Sequence, residues 1–206
     1  MRQQHVDTPV GQAAITWFEA DAPLRAIVML GHGSATGVEA PDLQAIAAAL
    51  PPLGFTVALI TQPYRLARGP GRPASDEPSL DAAWCAVWPH VATAGTPVIA
   101  GGRSAGSQVA CRTARTLGAH AVIALSYPLL GPGSPHELVS TGLPMLIVQG
   151  GADPYGTPDQ FPSLPPTATL VEVPHADHMF GVPARSTAGA ALARVVEAVT
   201  TWIHAL

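Results

Sequence analysis

The sequence predicts an open, mainly parallel α/β sheet of about six or seven strands, with helices on both faces and no cap domain, in one unit spanning residues 1–206. Three observations carry that expectation. Short apolar runs rich in β-branched residues alternate with longer segments whose apolar residues recur at helical spacing. Such alternation builds parallel sheets, because each parallel pair needs a crossover that is usually a helix. The 206 residues are 48% hydrophobic and only 12% charged, about half the usual ~25%, so the chain can bury a large core under a lightly charged surface. The segments between strands are also too short to fold as a second, covering unit.

Each element follows from its pattern. The run AAITWFEA (13–20) alternates loosely and suits an edge strand. AIVML (26–30) is continuously apolar, as expected of a central strand buried on both faces. In PDLQAIAAAL (41–50), Leu43, Ile46, Ala47 and Leu50 share one helical face. FTVALI (55–60) is a strand, and a loop rich in Pro, Gly and Arg follows over residues 61–78. Leu80, Ala83, Trp84, Val87, Trp88 and Val91 mark an amphipathic helix. PVIAG (97–101) is a strand, followed by a helix from about Ala105 to Leu117. AVIAL (121–125), PMLIVQG (144–150) and ATLVEV (168–173) are further strands, and Leu192, Val195, Val196, Val199, Trp202 and Ile203 mark a closing helix. In sheets of this kind ligands bind beyond the carboxyl ends of the strands.

Composition excludes several functions. The net charge is −4 and no basic stripe is present, so nucleic acid is not expected as a partner. No apolar run approaches the ~20 residues of a membrane span. The segment MRQQHVDTPVGQ lacks the apolar core of a signal peptide, and a cytoplasmic protein is expected. All ten basic residues are arginine. Without lysine there is no Schiff-base or pyridoxal-phosphate chemistry and no phosphate-binding P-loop lysine. Cys85 and Cys111 lack metal-type spacing and read as two buried free thiols. Neither a metal nor an organic cofactor is expected.

The chemistry centres on PVIAGGRSAGSQVA (97–110), where Gly102-Arg103-Ser104-Ala105-Gly106 is G-x-S-x-G between a strand and a helix. In a nucleophile elbow the serine occupies a sharp, strained turn at the carboxyl edge of the sheet. Small residues two before and two after it let strand and helix approach. The start of the helix favours a developing anion. A glycine-rich turn whose serine is merely an N-cap is the plainer alternative.

A serine nucleophile needs a base, and the base an orienting acid, here in the chain order Ser, Asp or Glu, His. After Ser104 the carboxylates are Glu137, Asp153, Asp159, Glu172, Asp177 and Glu197. Only Asp153 lies just past the end of a strong strand, in a loop loosened by Gly150, Gly151 and Gly156. Of the five following histidines, His120, His136, His175, His178 and His204, His204 is in the last helix and His120 precedes a strand at the opposite edge. His175 and His178 share VPHADHMFG, the loop after the last strand. His178 is preferred, since the residues before it let the chain turn back over the sheet and Met179 and Phe180 can anchor it in the core. His175 is the alternative. Asp177 ranks below Asp153 as the acid, because neighbours on a loop usually point apart. An oxyanion hole would take its donors from the backbone N–H of Ala105 and of Ser34, the latter in VMLGHGSATG (28–37). His32 would tie that loop.

With these residues in place, the chain resembles the α/β-hydrolases over nearly its whole length. It is most similar to the small cap-less group with dienelactone-hydrolase-like folds. Within that group it resembles the branch that includes the testis-expressed 30 protein and the hydrolase-like region of the third subunit of the non-specific lethal acetyltransferase complex. GHGS, PYRLARGPGRP, GGRSAGS, SYPL, VQGGADPYGTP and PHADHMF carry the likeness. The resemblance places Ser104, Asp153 and His178 at the family's triad positions. It implies hydrolysis of an ester-type bond in a small molecule, without a cofactor. Dienelactone hydrolases carry a cysteine where this chain has Ser104, and the branch includes binding subunits. A non-catalytic binding module is therefore the competing expectation. Tyr64, Arg65, Arg68 and Arg72 in the 61–78 loop, with Arg103 beside the nucleophile, could hold an anionic substrate. A solvated loop with local ion pairs is the plainer reading of these arginines.

Overall fold

The computed structural model describes residues 2–68, 76–130, 135–183 and 188–206. Among them the chain forms one eight-stranded sheet in the order β1-β2-β4-β3-β5-β6-β7-β8. The strands are β1 (Arg2–Thr8), β2 (Gly11–Phe18), β3 (Ala26–Gly31), β4 (Phe55–Thr61), β5 (Val98–Arg103), β6 (Ala121–Leu125), β7 (Met145–Gly150) and β8 (Ala168–Val173). β3 to β8 pair in parallel, while β1–β2 and β2–β4 are antiparallel. The helices are α1 (Pro41–Ala49), α2 (Pro63–Arg68), α3 (Glu77–Val91), α4 (Ala105–Leu117), α5 (Pro135–Ser140) and α6 (Ala188–His204).

The central strands are mostly apolar because they are covered twice. Ile27 and Met29 of β3 face the side that carries Trp84 and Val87 of α3 and Val109 and Ala110 of α4. Val28 and Leu30 face the other side, against Leu43 and Ile46 of α1 and Val195 and Val199 of α6. Successive side chains of a strand point to opposite faces, so burial on both favours apolar residues at nearly every position. α3 starts where Asp76 accepts a hydrogen bond from the Ser79 N–H at 2.9 Å, which satisfies one of the open donors of the first turn.

Several details differ from the sequence expectation. The sheet gains β1, because RQQHVDT is polar except for Val6, its one buried residue. β1 returns into β2 through a tight turn that ends at Gly11, whose φ of 118° suits glycine. That hairpin makes β2 an inner strand rather than an edge. His120, as expected, precedes the amino end of β6, at the edge of the sheet opposite the strands' carboxyl ends. The 61–78 segment opens as a helix, α2, rather than a loop. Cys111 is buried, but Cys85 is exposed on α3. No helix among the described residues is long and apolar enough to cross a membrane.

Candidate active site

Parallel pairing brings the carboxyl ends of β3, β5, β7 and β8 to one edge, and the polar residues singled out in the sequence collect there. β5 ends at Arg103 and α4 begins at Ala105, leaving Ser104 alone at the turn with φ 50° and ψ −121°. A non-glycine residue at positive φ is strained and persists only where its surroundings impose it. The constraint here is close packing of β3, β5 and α4. A Cβ on Gly102 would stand 2.6 Å from the Gly31 carbonyl oxygen, and one on Gly106 would stand 2.5 Å from the same atom. Both positions therefore exclude any side chain. The turn is tied by the Ser104 N–H to the Leu125 carbonyl at 2.9 Å and by the Ser107 hydroxyl to the Ser104 carbonyl at 2.6 Å.

Ser104 Oγ lies 2.9 Å from His178 Nε2, and His178 Nδ1 lies 2.8 Å from Asp153 Oδ2. Asp153 has a fully buried side chain, and that of His178 is 16% exposed. The carboxylate is held from two further directions. Its Oδ1 accepts from the Tyr155 N–H at 2.8 Å and its Oδ2 from Gln149 Nε2 at 2.9 Å. Gln149 is itself braced by Tyr127, whose N–H donates to its Oε1 at 2.9 Å, and by the Gly156 carbonyl, to which its Nε2 donates at 2.7 Å. The sequence reading missed Gln149. Its signal was one polar residue in the otherwise apolar, fully buried strand MLIVQG.

His175 is exposed, at φ 60°, and takes no part in this chain of bonds. Asp177 turns away from His178, and its Oδ1 accepts from the N–H groups of Met179 and Gly181, each at 2.8 Å. Phe180 is buried and anchors the loop, but Met179 is 41% exposed and does not, contrary to the sequence expectation. The ring of Tyr155 meets that of His178 edge-on at a centroid distance of 4.6 Å.

The loop after β3 lies against the nucleophile, since a Cβ on Gly33 would stand 3.3 Å from Ser104 Cβ. His32 ties it, as expected. Its Nδ1–H donates to the Gly33 carbonyl at 2.8 Å and its Nε2 accepts from the Gln62 N–H at 3.1 Å. That pairing sets a neutral tautomer, and burial lowers the pKa of the imidazole. Ala105, as the first residue of α4, has no intrahelical acceptor for its N–H. No other acceptor for it, or for the Ser34 N–H, is present among the described residues.

Two of the residues expected to bind an anionic substrate, Tyr64 and Arg103, are placed otherwise. Tyr64 is buried, and its hydroxyl donates to the Gly33 carbonyl at 3.3 Å. Arg103 is 1% exposed and committed to protein partners. A side chain sealed and bonded in this way has no surface left for a ligand, so both assignments are corrected. Arg72 and the side chain of Arg68 lie outside what the structure describes. Arg65, on α2, is 8% exposed, and its Nε, Nη1 and Nη2 have no hydrogen-bond partner among the described residues. No group of three or more His, Cys, Asp or Glu suited to a metal ion occurs among the described residues.

The alpha/beta hydrolase domain family matches residues 24–204. The chain belongs to that family. The match runs from the segment before β3 to the end of α6 and takes in the whole parallel part of this hydrolase sheet. Solved structures share the fold. An alpha-beta serine hydrolase homologue from Coxiella burnetii superposes with a TM-score of 0.75 at 17% identity, over 95% of this chain and 96% of that one. A serine hydrolase without lid from Xanthomonas campestris gives 0.71 at 20% identity, over 98% and 94%. Dienelactone hydrolase from Anabaena variabilis gives 0.74 at 21% identity, over 98% and 96%. No curated protein matches this hydrolase chain in sequence.

Proposed function

We propose that this hydrolase is a serine esterase that cleaves acyl bonds of small substrates through an acyl-enzyme, of the carboxylesterase or dienelactone-hydrolase-like type. The observation that carries the reading is the unbroken chain from Ser104 through His178 to the buried Asp153, with bonds of 2.9 and 2.8 Å. Its motifs also favour the branch of the testis-expressed 30 protein within the family.

In this mechanism Ser104 Oγ attacks the substrate carbonyl carbon as His178 Nε2 takes the hydroxyl proton. The carbonyl oxygen becomes an oxyanion held by the N–H groups of Ser34 and Ala105. Losing one such donor typically costs about 10²–10³ in rate. As the intermediate collapses, the C–O bond to the alcohol breaks and His178 returns its proton to the departing oxygen. Water then repeats the sequence and frees Ser104 and the acid. Asp153 holds the Nδ1–H tautomer and stabilises the imidazolium formed in each half. The strained φ of Ser104 aims its hydroxyl at the base before substrate arrives.

The competing reading is a binding module that keeps the fold. A fluorophosphonate probe separates the two, since it reacts only with an activated serine. Labelling of the wild type, lost in Ser104→Ala together with p-nitrophenyl acetate turnover, is the expected result. A wild-type protein that neither labels nor turns over ester would end the esterase reading.

A further inference from the structure

The side chain between Gly102 and Ser104 does something the esterase mechanism does not by itself require. Arg103 is the last residue of β5, yet its guanidinium reaches three segments far away in the chain. Nη2 donates to the carbonyl oxygen of His178 at 2.7 Å, Nε donates to Asp42 Oδ2 at 3.0 Å, and Nη1 lies 3.5 Å from Thr36 Oγ1. Nη1 also passes 3.3 Å from where a Cβ on Gly33 would stand, so the arginine packs under the loop that carries Ser34. Arg103 and Asp42 are 1% and 2% exposed.

We propose that Arg103 is a positioning residue that clamps the His178 backbone and the Ser34 loop to the nucleophile turn, and so sets the imidazole between Ser104 and Asp153. The proposal rests on the esterase reading. The carbonyl that Arg103 holds belongs to the base itself, so the bond orients the peptide plane next to the Cα bearing the imidazole. The 177–181 turn is closed within itself, by the Asp177 N–H to the Gly181 carbonyl at 2.8 Å and the Phe180 N–H to the Asp177 carbonyl at 3.0 Å. Phe180 anchors this turn in the core, and Arg103 is a second fastening, one that joins His178 directly to the residue beside Ser104. A planar guanidinium donates in several fixed directions at once, which a lysine ammonium cannot reproduce. Asp42 supplies the countercharge that lets the cation stay buried.

Removing one member of a buried pair risks the fold, whereas replacing both with apolar residues is often tolerated. The test therefore uses Arg103→Lys, and the double variant Arg103→Met with Asp42→Leu. Both are checked for a cooperative thermal melt and assayed with p-nitrophenyl acetate. Displacing a catalytic group by about 1 Å can cost ~10²-fold. The expected result is a kcat about 10–100-fold below wild type in each folded variant, with KM within about threefold. The downfield proton resonance of His178 Nδ1–H, assigned by its loss in His178→Gln, should shift or broaden in both. That signal needs no turnover, so it tests the clamp even if the esterase reading fails. A folded variant with wild-type kcat, or with an unchanged Nδ1 proton in a protein that has no turnover, overturns the proposal.

Discussion

Asp153 reaches His178 across 25 positions of sequence with a 2.8 Å bond, while Asp177, its immediate neighbour, spends its carboxylate on the turn that follows. One carboxylate faces the imidazole from beneath; the other is a local turn former. This division of labour makes the two aspartates separable by mutation.

Asp153→Asn should lower kcat by up to about 10⁴, the loss seen when a protease triad carboxylate becomes an amide. KM should change far less, because the interaction strengthens only as the imidazolium forms. Asp177→Asn should stay within a few-fold of wild type, since an amide oxygen can still accept from Met179 and Gly181. Steady-state kinetics with p-nitrophenyl acetate checks both, and a larger loss at Asp177 would reverse the assignment.

His178→Ala should remove several orders of magnitude from kcat, and His175→Ala much less. The first removes the only imidazole bonded to Ser104 among the described residues, whereas the second trims an exposed side chain at φ 60°. Because His175 occupies left-handed backbone, His175→Gly should also keep or raise the melting temperature. Equal kinetic losses for the two alanine variants would contradict the geometry.

Arg65 should be a stability liability. Its buried guanidinium has no hydrogen-bond partner among the described residues, and although its charge helps to lower the pKa of Glu39, burying a cation without hydrogen bonds is costly. Arg65→Met keeps much of the side-chain volume and removes the charge. Thermal or urea denaturation should show stabilisation on the order of 1 kcal/mol or more, with a higher melting temperature. A clear drop in stability would mean that the cation is compensated.

Burial lowers the pKa of His32 from its ordinary value of 6.5. The folded protein then binds a proton less readily than the unfolded chain, so stability rises with pH through that region. Acidification from about pH 7 toward the lowered folded-state value should progressively destabilise the protein, because a proton on Nε2 would face the Gln62 N–H. His32→Gln should flatten the melting temperature across that window. A wild-type melting temperature that rises on acidification there would contradict the sign.

Sequence alone determined the parts whose causes are local. Alternation of apolar runs with helical periods specified the parallel sheet, since each pattern can bury its face in only one way. The glycines around Ser104 announced a turn where backbones touch, and the packing of Gly102 and Gly106 on Gly31 is the steric reason. Strand β1 escaped notice because a polar ribbon gains its order from pairing with β2, which leaves almost no trace in its own composition.

Tertiary structure decided the directions of the side chains. Whether Asp153 or Asp177 turns toward His178, and whether Met179 or Phe180 enters the core, depends on backbone angles set by packing across the sheet. Arg103 is the clearest case. By residue type and position it suited a substrate anion, but its partners Asp42 and His178 stand 61 and 75 positions away. A buried charge must find compensation wherever the fold supplies it, and sequence spacing carries no record of those distances.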